Sequence, residues 1–138
     1  VKNDGSVVST GNNVNGQCDV SKWKNIVSAS AGWHHTAGLK SDGTAVAVGG
    51  NTYGQCNLKG WENMVSVSAG MNHTVGLRKD GTVEAVGDNH HGQCDVEDWN
   101  DIVAVSAGNK YTLGLKRDGT VLITKNIDYG QSDVEKLI

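Results

Sequence analysis

MVSVSAGMNHTVGLRKDGTVEAVGDNHHGQCDVEDWND, running from Met64 to Asp101, decides the fold because near-copies of it stand on both sides. Asp-Gly recurs at Asp4-Gly5, Asp42-Gly43, Asp80-Gly81 and Asp118-Gly119. Gly-Gln recurs at Gly16, Gly54, Gly92 and Gly130, Ser-Ala-Gly at Ser30, Ser68 and Ser106, and Trp at Trp23, Trp61 and Trp99. Each step is 38 residues, with no insertion or deletion. A fixed period of this length is the signature of a solenoid or a propeller.

Within the quoted copy, Val65, Val67 and Ala69 alternate with Ser66 and Ser68, which predicts a strand over Met64–Ala69. His73–Arg78 reads as a second strand, and Lys79-Asp80-Gly81 as a tight hairpin joining it to a third strand over 82–86. A loop over 87–92 leads to a weaker fourth strand around 94–96, closed by Trp99. Four antiparallel strands per repeat of this size predict an all-β chain of β-propeller blades. A blade is covered on both faces, so Ser, Ala, Gly and Val should dominate there. Charge gathers instead at Lys40, Arg78-Lys79, Lys116-Arg117, Lys22, Lys24, Glu62 and Glu97-Asp98, the hairpin tips and inter-blade linkers. Alternation with helical patterns, which TIM and Rossmann folds require, is missing.

Residues 1–138 form a single propeller segment: a half blade over 1–25, blades over 26–63 and 64–101, and a degenerate last blade over 102–138. In that last copy Thr124-Lys125 replaces Val-Gly and Leu137 replaces Trp. About three and a half blades cannot close a ring, and an open stack leaves sheet faces and edges bare. Closure is expected from a second chain, as a homodimer or other closed assembly in which 1–23 completes a partner's last blade, or from further sequence of a longer protein.

Composition narrows the function classes. A net charge of -3 offers no clustered basic surface for nucleic acid, and no apolar run reaches the length of a bilayer-spanning helix. With Phe 0 and Gly 19, the core must bring backbones close together rather than fill space with large side chains. Cys18, Cys56 and Cys94 hold one repeat position, taken by Ser132 in the last copy. One cysteine per blade, on sheets roughly 10 Å apart, makes neither a disulfide framework nor a zinc site. A small buried side chain is expected there.

The set NxxGQCDV, VxVSAGxxHTxGLK and DGTVxAVG resembles the regulator of chromosome condensation repeat family. It is closer still to the short-repeat bacterial branch that includes the seven-bladed β-lactamase inhibitory protein. The likeness covers the whole chain and implies a propeller that binds protein partners. Loop aromatics on one face grip the target in the inhibitory branch. Guanine-nucleotide exchange in the family depends on an inserted β-wedge, for which these repeats leave no room. The resemblance also leans toward a bacterial secreted or cell-surface protein rather than a cytoplasmic one.

Antiparallel strands place alternate connections at opposite ends of a blade, so the loops after the first and third strands share one face. Their free positions are Trp33-His34, Met71-Asn72 and Asn109-Lys110 after Ala-Gly. Before Gly-Gln they are Val14-Asn15, Thr52-Tyr53, His90-His91 and Asp128-Tyr129. The scaffold around these pairs barely changes while the pairs change completely. Trp, Tyr, His and Met are the residues of binding hot spots, so Trp33, His34, Thr52, Tyr53, Met71, Asn72, His90, His91, Asn109, Lys110 and Tyr129 form the candidate partner-binding set.

Other recurring side chains read as structural. His35 and His73, with Tyr111 in the third copy, should make a hydrogen bond at the start of the second strand. Gln17, Gln55, Gln93 and Gln131 should satisfy loop backbone, and Trp23, Trp61 and Trp99 should cap the outer blade edge. Adjacent His90 and His91 point apart in extended chain and make a poor chelate, and no HxxxH, CxxC or nucleophile-base pattern occurs. The expectation is a non-catalytic protein-interaction module with no cofactor or metal. A metal-dependent lyase-type propeller and a purely structural repeat fragment are the alternatives.

Overall fold

The computed structural model describes residues 1–124. All regular structure among these residues is β, in three antiparallel sheets of three strands. The first sheet is β1 (Ile26–Ala31), β2 (His35–Lys40) and β3 (Ala45–Gly49), and the second is β4 (Met64–Ala69), β5 (His73–Arg78) and β6 (Val83–Gly87). The third holds β7 (Ile102–Ala107), β8 (Thr112–Lys116) and β9 (Val121–Ile123). Strand order follows the sequence in each sheet, and the registers repeat: His35 faces Gly49 as His73 faces Gly87. These are the blades of a propeller, stacked in an unclosed series.

Local chemistry sets each hairpin. Asp80 Oδ1 accepts from the Thr82 N–H at 2.9 Å and from its hydroxyl at 2.6 Å, and Gly81 sits at φ 86° where a side chain would be strained. The tip also joins sheets, since Met64 N–H donates to the Gly43 carbonyl at 2.9 Å and Ile102 N–H to Gly81 at 3.0 Å. Two apolar clusters fill the gaps between sheets. Ala37, Leu39, Leu58, Trp61, Met64 and Val67 form the first, and Val75, Leu77, Val83, Val96 and Ile102 the second.

Three details differ from the sequence expectation. The segment over 94–96 is no fourth strand, because its polar groups turn inward on the loop itself. Asn89 Oδ1 accepts from the Cys94 N–H at 2.8 Å and Asn89 Nδ2 donates to Asp95 at 2.8 Å, while main-chain bonds close consecutive turns at Gly92 and Asp95. The tryptophans are not outer caps. Trp61, 3 % exposed, lies flat in a slot across β5 that exists because Gly76 has no side chain: a Cβ there would stand 2.7 Å from the indole. Trp23 and Trp99 meet Gly38 and Gly114 in the same way. The cysteines are half-buried rather than buried, and each thiol donates to a loop carbonyl, as Cys94 does to Asp88 at 3.4 Å.

Candidate partner-binding face

In the first two sheets the loop after the first strand and the loop after the third strand meet at one end of the stack, and main-chain bonds hold them there. Gly50 N–H donates to the His34 carbonyl at 2.7 Å, and Asp88 N–H to the Asn72 carbonyl at 2.9 Å. Successive blades are tied as well: Trp33 N–H donates to Gly70 and Met71 N–H to Gly108, each at 3.2 Å. The glutamines brace the longer loops. Gln55 Oε1 accepts from the Tyr53 N–H at 3.0 Å and Gln93 Oε1 from the His91 N–H at 2.9 Å. With Gln55 and Gln93 buried, the pairs Thr52-Tyr53 and His90-His91 are lifted on rigid stems.

The predicted residues divide into two neighbourhoods. His34, Thr52, Tyr53 and Asn72, with Asn15 of the preceding repeat, line a shallow cleft of about 350 Å³. Three repeats therefore contribute to one site. Tyr53 reaches across the joint to His90 of the next repeat, with ring centroids 6.2 Å apart and planes at 84°, an edge-to-face contact. Trp33 stands apart from that pair. It is 60 % exposed and lines a groove over the outer side of the first sheet with Val7, Val8 and Ala31. Met71 and His91 are half-buried, Asn109 is exposed, and Lys110 is half-buried and engaged in an interaction of its own. Tyr129 lies outside the described residues.

Electrostatics at this end are mild. Asp88 pairs with His90, accepting from its N–H at 3.0 Å and from its ring. Burial pushes the Asp88 carboxyl up, but these hydrogen bonds outweigh burial and hold it below the ordinary carboxylate range. Burial raises the Cys94 thiol to about 12, with Asp88 and Asp95 adding to the effect, so it stays protonated and serves as a donor. No group of three or more His, Cys, Asp or Glu with metal-binding geometry occurs among the described residues.

His35 and His73 lie behind the face and rivet the blades. Thr74 Oγ1 donates to the Gln55 carbonyl at 2.7 Å, so its oxygen must accept from His35 Nε2, 2.8 Å away. His73, Thr112 and Gln93 repeat the relay at 3.0 and 2.7 Å. Both rings are fully buried, and burial, reinforced by a neighbouring histidine, lowers each to about 4. The sequence reading expected a hydrogen bond here. It did not foresee that the bond crosses between blades, although Thr36, Thr74 and Thr112 recur in phase one residue after the ring.

Stacked three-stranded sheets with this loop face define a segment of a β-propeller. Residues 26–55 and 64–93 match the regulator of chromosome condensation (RCC1) repeat. Among solved structures, yeast RCC1 (Prp20) bound to Kap60 matches with a TM-score of 0.69 and 17% identity over 82% of this chain and 38% of that one. Prp20p from Saccharomyces cerevisiae, described with its binding to Gsp1p and histones, gives 0.64 at 26% identity over 78% of this chain and 32% of that one. Human WBSCR16 gives 0.72 at 17% identity, over 88% and 42% respectively. The chain thus spans well under half the length of these propellers. No curated protein matches the sequence.

Proposed function

We propose that this chain is a non-catalytic interaction segment of an RCC1-type propeller that holds a protein partner on its loop face. The carrying observation is the Tyr53–His90 contact beside a cleft built by three repeats from their least similar residues. Tyr53 is 45% exposed although the loop beneath it is rigidly braced, so much of its ring is held out to solvent in a fixed place. Preorganised aromatics of this kind bind with little ordering cost. The cleft adds the hydrogen-bonding groups of Asn15, His34, Thr52 and Asn72, so it suits an apolar or aromatic side chain flanked by exposed main chain. Binding of Gsp1p and histones by Prp20p, 26% identical, supports a protein as the class of ligand.

The test is affinity capture on the immobilised chain, comparing wild type with the double variant Tyr53→Ala/His90→Ala. A circular-dichroism melt checks that both are folded. Loss of about tenfold or more in retention of a specific protein is expected, the size of a hot-spot pair. Undiminished retention by the folded variant would overturn the face.

A further inference from the structure

The cleft beside Tyr53 differs from the loops around it in how its side chains are engaged. Asn13, Asn51 and Asn89 serve their own loops, each accepting from a cysteine N–H at 2.7 to 2.8 Å. In the cleft, no hydrogen bond ties the side chain of Asn15, His34, Thr52 or Asn72 to another described residue. Gln55 lies beneath them. It is 2% exposed and its Oε1 is taken by the Tyr53 N–H, so the Nε2 group, which donates to no described residue, is what it offers to the cleft. A buried amide with one atom fixed by the fold and its donor left over is a mark of a built site.

The site carries no formal charge, because no Asp, Glu, Lys or Arg lines it. Its apolar wall is Tyr53, which meets His90 with the ring planes at 84°, so the two rings form a corner rather than a stack. The pairing of His90 with Asp88 fixes the second ring of that corner.

Proteins take up peptide segments in few ways, and these surroundings remove most of them. Strand addition needs open main-chain groups, but the carbonyls of the lining residues His34 and Asn72 already accept from Gly50 and Asp88. A phosphorylated or acidic motif needs cations, and none lines the cleft. An amphipathic helix needs an apolar groove, whereas amides, an imidazole and a hydroxyl line most of this shallow hollow. What fits is a chain with apolar rings, many main-chain acceptors and few donors. A polyproline II segment has these properties. Proline lacks an N–H, its carbonyls stand out to solvent, and the helix exists before binding, so little order remains to be imposed.

We propose that the protein partner presents a proline-rich segment in the polyproline II form to this cleft, an assignment that rests on the loop-face reading above. One pyrrolidine ring packs into the corner of Tyr53 and His90. Neighbouring carbonyls accept from the Gln55 and Asn72 amides, which successive repeats supply and which therefore read two points along the segment. Recognition by rings and neutral donors is insensitive to salt.

The test is an NMR titration of the isotope-labelled chain with a blocked oligoproline peptide, against a blocked Gly-Ser peptide of equal length. Saturable shifts are expected at the side-chain amides of Gln55 and Asn72 and at the Tyr53 N–H, nearly unchanged between low and physiological salt. Tyr53→Ala should weaken binding by about tenfold, as loss of an aromatic anchor does. Asn72→Ala, at a half-buried position, should weaken it by about three- to tenfold, with a circular-dichroism melt confirming that each variant is folded. Oligoproline should also displace the protein captured on the immobilised chain. Absence of shifts at millimolar peptide, or equal shifts with the Gly-Ser peptide, overturns the proposal. If capture still falls in Tyr53→Ala/His90→Ala, only the proline assignment is lost; if capture ignores that variant, the face fails with it. Shifts at the same groups from a neutral methyl glycoside but not from oligoproline assign the cleft to a glycan and overturn the proposal too.

Discussion

Strands β1 and β4 are near-copies that live in different surroundings. Both open on a buried anchor, Ile26 at 2% and Met64 at 3% exposure. Beyond the anchor they diverge. Val67 and Ala69 of β4 are buried between two sheets, while Ala29 and Ala31, one period earlier, are exposed. Repeat sequence thus sets strand, register and hairpin, but a neighbour sets burial. In a stack of this kind, stability belongs to the joints as much as to the blades.

The largest effect that separates the joints is pH. His35 and His73 are held near 4 in the fold against about 6.5 in an unfolded chain. A base lowered by folding contributes its stability fully above pH 6.5 and loses it as pH falls, because the unfolded chain takes the proton first. For both rings desolvation is the main cause; His34 opposes a charge on His35, while Asp88 favours one on His73. Each ring should cost on the order of 3 kcal/mol between pH 7 and pH 4. Urea unfolding across that range should show the loss, and His35→Gln/His73→Gln should flatten it. A slope unchanged in the double variant would assign acid sensitivity to other groups.

Next in size is a pair of equivalent leucines. Leu77→Ala empties a site packed from both sides and should cost about 3 kcal/mol, whereas Leu115→Ala, at the open face, should cost under about 1 kcal/mol. Equal costs in dilute protein would mean that the open face is already filled.

A smaller contrast comes from the threonines. Thr74→Val leaves the His35 Nε2–H and the Gln55 carbonyl unsatisfied in a buried joint, so about 2 kcal/mol should be lost. Thr36→Val breaks a single half-buried bond to Gln17, worth about 1 kcal/mol. Denaturant midpoints of the two variants measure the difference that a completed relay makes.

The same contrast explains what the amino-acid pattern could tell. Strands β4 and β5 fall where alternation places them, and β6 begins one residue later than expected, because Thr82 closes the hairpin with Asp80. Periodicity reports such local choices faithfully. The fourth strand failed because Asn89, Cys94 and Asp95 saturate one another, a competition between side chain and backbone that apolar spacing does not register. The Trp61 slot was hidden for a different reason: it needs Gly76 of the next sheet, and only the phase between Trp and Gly could have hinted at it. At the face, strand parity placed the loops at one end. It did not separate Trp33 from Tyr53, since the loop over 32–34 leaves β1, where successive first strands crowd, while 50–55 leaves β3 at the far side of the sheet.

The smallest expected effect is also the sharpest test of the face itself. Tyr53 and His90 touch across a joint, so their contact could be a further rivet rather than a binding feature. An exposed ring pair of this geometry contributes about 0.5 kcal/mol to the fold, far below the buried relay a few residues away. Tyr53→Ala should therefore shift the unfolding midpoint barely beyond error, even as it removes capture of the partner. A stability loss comparable to that of Thr74→Val would place Tyr53 among the joints. The rim of the cleft would then owe its aromatics to stacking between blades, and the argument for recognition would pass to the polar residues Asn15, His34 and Asn72 that remain.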